Sequence, residues 1–176
     1  MIIMGVLFLA GIYGVGKSTL GETLSQRRGI PFYSAGDLIS QVNGEIYGAN
    51  KAVADKVGNQ DILAIQIERL LKQYDRILLA GHFCIVNKHG EVDCLPQDAF
   101  KNLHLNKIIL LEAEEEQILD HLRSRDAKKY SPELVTALRQ AEQEMAYAVS
   151  TELNCPIVTH CMTYSPTDAS TIEQVL

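Results

Sequence analysis

Short apolar runs alternate with stretches of helical period along the whole chain. The runs 3–10, 31–34, 76–81, 106–112 and 156–160 are brief and almost continuously apolar, which predicts strands buried on both faces. Between them, apolar positions recur at three- and four-residue steps over 17–28, 36–42, 59–73, 114–124 and 132–152, predicting helices. A last short helix is predicted over 168–175, with Asp168 near its start. Strand and helix in regular alternation predict an α/β fold in three layers, a five-stranded parallel sheet with helices on both faces.

Local signals set several edges. In "SPEL", Ser131 suits an N-cap, Pro132 the first helical position, and Glu133 places an acid in the first turn. "NKHGE", lying between "FCIV" and "VDCL", reads as the turn of a hairpin over about 83–95, with Gly90 tolerating positive φ. Residues 41–50, "QVNGEIYGAN", are rich in Gly and Asn and read as a mobile connection inside an insertion spanning about 36–60. With no internal repeat, low-complexity tract or linker, residues 1–176 read as a single domain.

Composition narrows the class. The chain is 47% hydrophobic and 22% charged, ordinary for a globular domain. Its net charge of −6 argues against general nucleic-acid binding, since no basic excess exists to neutralise a phosphate backbone. A small anion needs only a local positive pocket, so that class stays open. The opening "MIIMGVLFLAG" is too short to cross a bilayer and lacks a positive flank and a small-residue cleavage site. A cytoplasmic protein with no membrane association is expected.

Cys84, Cys94, Cys155 and Cys161 form no CxxC pair, so reduced thiols are expected. Cys84 and Cys94 face each other if the hairpin forms, with His82 and His89 nearby. A metal site is conceivable there, but the spacing is looser than zinc sites use.

The chemistry is concentrated in "GIYGVGKST". Gly11, four residues, then Gly16, Lys17 and Ser18 satisfy the P-loop pattern, with a strand before and a helix after. Gly11, Gly14 and Gly16 let successive amides, including that of Val15, turn inward onto phosphate oxygens. The helix start adds its positive dipole end. Lys17 can reach the outer phosphates, the Ser18 hydroxyl suits Mg²⁺, and Thr19 suits the inner phosphate. ATP with Mg²⁺ is therefore the expected cofactor pair, in a P-loop NTPase fold.

A second segment, "FYSAGDLIS", ends the second strand. With the P-loop it resembles the "STGDLLR" segment of adenylate kinases and related nucleoside monophosphate kinases, through Ser34, Gly36, Asp37 and Leu38. In element order the chain is most similar to the compact archaeal adenylate kinase type, in which a strand ends in a His before a hairpin-like insertion. "GHFCIVNKHGEVDCLP" occupies that place here. The resemblance implies that Asp37 joins Ser18 in holding magnesium, and that Ser34, Gly36, Asp37, Gly81 and His82 line an acceptor pocket. It also implies a short lid at about 123–131, whose Arg123 and Arg125 stabilise the phosphoryl group in flight, with Asp126 orienting one of them. Arg139 is a weaker lid candidate, and His104, His121 and His160 show no partner pattern.

The departures are specific. Ala35 replaces a Thr, Ser40 stands where the family grips phosphate with Arg, and Ala80 stands where a strand-end acid is expected. None of the seven arginines falls where a monophosphate would be clamped; Lys51 and Lys56 are the nearest cations in sequence. The expectation from the resemblance is ATP-dependent transfer to a nucleoside monophosphate. The alternatives are a kinase of a nucleoside or small hydroxylated metabolite, with Asp37 as base, and a nucleotide-binding regulator with weak ATPase activity.

Overall fold

The structure is a computed structural model, and it describes residues 4–43, 56–125 and 129–176. Five parallel strands form the main sheet in the order β2-β3-β1-β6-β7: β1 (Gly5–Ala10), β2 (Phe32–Ser34), β3 (Arg76–Gly81), β6 (Leu105–Glu112) and β7 (Ile157–Cys161). All five predicted strands form, within a residue or two of their expected ends. Every residue of β1 is buried, which is why its sequence is uninterrupted by polar residues.

The helices are α1 (Lys17–Arg28), α2 (Ala35–Asn43), α3 (Lys56–Leu71), α4 (Glu115–Arg125), α5 (Pro132–Glu152) and α6 (Thr167–Glu173). α1 stops at Gly29, whose left-handed backbone (φ +65°) lets its N–H bond Ser25 O. α5 starts as its sequence predicts, with Ser131 accepting from Leu134 N and Pro132 in the first turn. α1 packs along β1, β2, β3 and α6, whereas α5 packs along β6, β7 and the hairpin. Sequence periodicity left 97–103 unassigned; it forms a 3₁₀ segment (Gln97–Leu103) with Phe100 and Leu103 buried. Phe8 meets Phe83 and Phe100 edge-on, and those two rings are tilted against each other, with centroids 4.7–6.1 Å apart, tying β1 to the hairpin base and this segment.

The hairpin pairs β4 (Cys84–Val86) with β5 (Val92–Cys94), antiparallel, with Cys84 directly opposite Cys94. The two are joined in a disulfide. This corrects the expectation of four reduced thiols: cross-strand register brings one pair into bonding position, and only Cys155 and Cys161 are free. No group of three potential metal ligands occurs among the described residues, at the hairpin or elsewhere. No helix among them is long and apolar enough to cross a membrane.

Sheet topology fixes where a ligand sits. From central β1 the chain goes out to β2 and β3 on one side and later to β6 and β7 on the other. The crevice at the carboxyl ends of these strands is therefore the place for a ligand. α1 reaches the sheet closely at Gly21, where a Cβ would lie 2.2 Å from the Phe32 ring. Gly21→Ala should therefore destabilise the protein by roughly 1–3 kcal/mol in urea titration, despite the ~1 kcal/mol that alanine gives a helix.

Candidate active site

The loop between β1 and α1 turns as its glycines require. Gly11 has φ +148°, and a Cβ there would meet Leu111 O at 2.7 Å; Gly16 has φ +105°. Val15 is buried beneath the loop, while Ser18 and Thr19 are exposed at the start of α1 and line the adjoining cleft. Lys17 Nζ donates to Gly11 O at 2.6 Å and to Ile12 O at 2.9 Å. The lysine thus rests on the loop that would receive the phosphates.

Below the loop lies an acid that sequence reading missed. Glu142 of α5 is 1% exposed. Its Oε1 accepts from Gly11 N (3.1 Å) and Phe83 N (3.0 Å), and its Oε2 from Phe83 N (2.9 Å) and Cys84 N (2.7 Å). Burial pushes its pKa up to about 7, against the pull of the Phe83 and Cys84 amides, the Lys17 charge and the Gly11 amide. A signal was present in the sequence: Glu142 falls in register with Val135, Leu138, Ala146 and Val149 on the apolar face of α5. An acid on a core-facing stripe needs partners, and here they are backbone amides.

The strand-three exit completes the connection. His82 Nδ1 lies 2.8 Å from Gly11 O, and since a carbonyl only accepts, Nδ1 is the donor in that bond. Nδ1 is also 3.5 Å from Lys17 Nζ, and the ring stands edge-on to Tyr13 at 4.5 Å. The Tyr13 hydroxyl accepts from Val86 N at 3.2 Å, so the phosphate loop and hairpin are bonded at two levels. Ala80 leaves the strand end without an acid, and Glu142 does not replace it as a metal ligand, because both of its oxygens are taken by amides.

A cleft of ≈930 Å³ runs from this loop in two directions. Towards β6 and β7 it is bordered by His121, Ser124, Arg125, Met162 and Tyr164. His121, which carried no sequence signal, has Nδ1 2.9 Å from Gly14 O and packs edge-on to Tyr164. Tyr164 donates to Val15 O at 3.2 Å, and its left-handed backbone (φ +58°) is held by Asp168, which accepts from the Tyr164 and Thr163 amides. Asp168 also pairs with His160 at 2.9 Å. Burial raises the Asp168 carboxyl, but the bonds from Thr163, His160 and Tyr164 outweigh it and hold the group below its usual value.

Towards β2 and β3 the cleft opens into an apolar compartment walled by Phe8, Ile39, Leu63, Ile85, Leu95 and Phe100. The predicted acceptor residues Ser34, Gly36, Gly81 and His82 line this side, with Ala35. Asp37 does not. It is exposed in the first turn of α2 and faces a separate hollow with Glu22, Ser25 and Gln41. Asp37 is thus not among the residues lining the cleft with Ser18, where it was expected to hold magnesium or act as base. A helix-start acid pointing to solvent accounts for it. The two lid arginines also part company: Arg125 lines the cleft, whereas Arg123 is exposed and pairs with Asp120 at 3.1 Å. Arg139 pairs with Glu115 at 3.7 Å. Asp126 and Lys51, and the side chain of Lys56, lie outside the described residues.

A magnesium ion fits this donor set only as a companion of phosphate. Ser18 offers one exposed hydroxyl at the phosphate end, and magnesium bound mainly by phosphate oxygens and water needs few protein ligands.

The family profile described as "AAA domain" matches residues 10–139. No curated protein matches the chain. Among solved structures, a shikimate kinase from Bacteroides thetaiotaomicron aligns at TM-score 0.62 and 15% identity, over 98% of this chain and 96% of its own. A shikimate kinase from Acinetobacter baumannii in complex with shikimate aligns at 0.59 and 15%, over 99% and 93%. A gluconokinase from Sinorhizobium meliloti 1021 aligns at 0.54 and 15%, over 99% and 90%. These likenesses bear out the fold and the P-loop; they do not single out the adenylate kinase type.

Two outcomes follow from Glu142. Glu142→Ala strands three buried amides and should cost roughly 3–5 kcal/mol of stability. The folded Glu142 ionises near 7 and an unfolded glutamate near 4.5, so between these values the unfolded chain binds fewer protons. This group's contribution to stability should fall as pH rises through that window. Urea midpoints measured from pH 4.5 to 7 should lose that slope in Glu142→Gln.

Proposed function

The chain belongs to the AAA domain family, and from that premise we propose an ATP-dependent phosphotransferase that moves the γ-phosphate of ATP to a hydroxyl of a small-molecule acceptor. The observation carrying this reading is the continuity of the cleft. Lys17, Ser18 and Thr19 share it with the side lined by Gly81 and His82, and the whole cleft of ≈930 Å³ is at the upper end of the size of small-molecule sites.

The residues divide the work as follows. Loop amides and the α1 start hold the triphosphate. Lys17 exchanges Gly11 O and Ile12 O for the outer phosphate oxygens, and His82 stays on Gly11 O. Magnesium, held at Ser18 and the phosphates, would neutralise charge there. Arg125, at the cleft's edge, meets the negative charge of the phosphoryl group in flight. Asp37 is not among the residues lining the cleft and His82 is, which supports His82 over Asp37 as the group that takes the hydroxyl proton.

A hydroxyl acceptor is favoured over the nucleoside monophosphate that the adenylate kinase resemblance implied. Ser40, at the place of the phosphate-gripping Arg, spends its hydroxyl on Gly36 O within α2. The structural relatives include a gluconokinase and shikimate kinases, one of them with shikimate bound, so kinases of small hydroxylated acids share this fold.

Coupled measurement of ADP release, with ATP and Mg²⁺ and a panel of acceptors, tests the reading. Acceptor-dependent release is expected; hydrolysis indifferent to every acceptor would point to a nucleotide-binding regulator instead. Arg125→Ala should lower the transfer rate roughly a hundredfold while ATP affinity stays within a few fold. Arg123→Ala and Asp37→Asn, both outside the cleft, should change the rate by no more than about twofold.

A further inference from the structure

We propose that Tyr164 and His121 are positioning residues of the phosphate loop: each holds one loop carbonyl, and the pair thereby aims the Val15 and Gly16 amides at the triphosphate. This deepens the phosphotransferase reading above and rests on its phosphate loop.

Two observations carry it. The first is the way the loop carbonyls are taken up. Glu142, Lys17 and His82 hold the start of the loop, at Gly11 and Ile12. Further along, Gly14 O accepts from His121 Nδ1 at 2.9 Å, and Val15 O accepts from the Tyr164 hydroxyl at 3.2 Å. The two rings meet edge-on with centroids 4.6 Å apart, so each braces the other. The loop peptides are trans, and across a planar trans peptide the N–H points opposite to the C=O. Fixing Gly14 O therefore fixes the Val15 N–H, and fixing Val15 O fixes the Gly16 N–H. Both amides belong to the turn that the glycine spacing shapes for phosphate oxygens. Val15 N lies 3.4 Å from Ile12 O, a long bond that a phosphate oxygen can replace. Gly16 rests on the same support, since a Cβ there would meet the Tyr164 ring at 3.4 Å.

The second observation is the backbone of Tyr164. Its φ of +58° lies in the left-handed region, uncommon for a bulky residue. Such strain persists where the surroundings impose it, and it clusters at ligand sites. Here Asp168 imposes it. This carboxylate, 4% exposed, accepts from the Tyr164 amide at 2.7 Å, the Thr163 amide at 2.9 Å and the Thr163 hydroxyl at 2.8 Å. His160 pairs with it at 2.9 Å. A buried acid, a histidine and a strained turn thus converge on setting one hydroxyl against Val15 O. Core packing does not account for the arrangement, because Tyr164 is 36% exposed and borders the cleft.

The test titrates the full chain, in Mg²⁺, by calorimetry with ATP and separately with inorganic triphosphate, the tail without its nucleoside. Thermal melting confirms that each variant is folded. Tyr164→Phe removes the hydroxyl and keeps the ring. It should weaken both ligands by the same factor, about fivefold, the loss of one neutral hydrogen bond. His121→Ala should do likewise. His121→Asn returns an N–H donor near the place of Nδ1 and should recover both affinities to within about twofold of the parent. A loss confined to ATP, or a parent that binds ATP but not the bare tail, overturns the proposal: the side chains would then serve the nucleoside and not the loop. Unchanged affinity for both ligands, with a lower melting temperature as the sole effect, also overturns it and leaves the pair a structural role. An Asn variant as weak as the Ala one overturns the part given to His121. Failure of the parent to bind ATP overturns the phosphotransferase reading as well, so the two failures are told apart.

Discussion

The Glu142 carboxylate, buried under the phosphate loop and shared among the amides of Gly11, Phe83 and Cys84, is the joint on which the site depends. It brings three chain segments distant in sequence to one point: the end of β1, the exit of β3 and the last long helix. Burying a carboxylate is costly, and the raised pKa reflects that cost. The amides offset it, and in exchange their own hydrogen-bonding needs are met where no regular secondary structure could meet them. From this joint Gly11 is held through both of its flanking peptides, its N–H by Glu142 and its carbonyl by His82 and Lys17. Lys17 and His82 therefore refer to the same peptide plane, and their relative placement is set there.

Lys17 adds a second aspect of the same design. Its ammonium rests on Gly11 O and Ile12 O, both neutral carbonyls, with the Glu142 charge close enough to be felt. Phosphate oxygens are stronger partners for an ammonium than carbonyls. The lysine is thus kept ordered without being held too tightly to leave, and His82 remains on Gly11 O to keep the loop in place.

Much of this was legible in the sequence, and what escaped did so for physical reasons. β1 and β3 could be read because burial on both faces removes polar residues from them, and α1 and α5 because Gly29 and Ser131–Pro132 mark their ends. The phosphate loop was legible because its geometry demands glycines at fixed spacing. Asp37 lines a different hollow from Ser18, because a resemblance transfers position along the chain but not the direction in which α2 points its first turn. Glu142 was overlooked among the many acids of "AEQEMA", although its place in the apolar stripe of α5 set it apart. His121 has no local signature, since its partner, Gly14 O, is 107 residues away. The 3₁₀ segment escaped because a seven-residue stretch is too short for periodicity to register.

The hairpin carries an implication for how such a protein diversifies. Its two strands are cross-linked at Cys84 and Cys94 and anchored to α5 and Tyr13 through the Phe83, Cys84 and Val86 amides. Ile85 and Leu95 are therefore a fixed wall. The opposite wall, Ile39 of α2 and Leu63 of α3, is joined to the phosphate loop by no bond in the Glu142 network. Side chains on that wall can therefore change without disturbing the bonds that fix the phosphate loop, so the two sides of the chamber are mechanically separable.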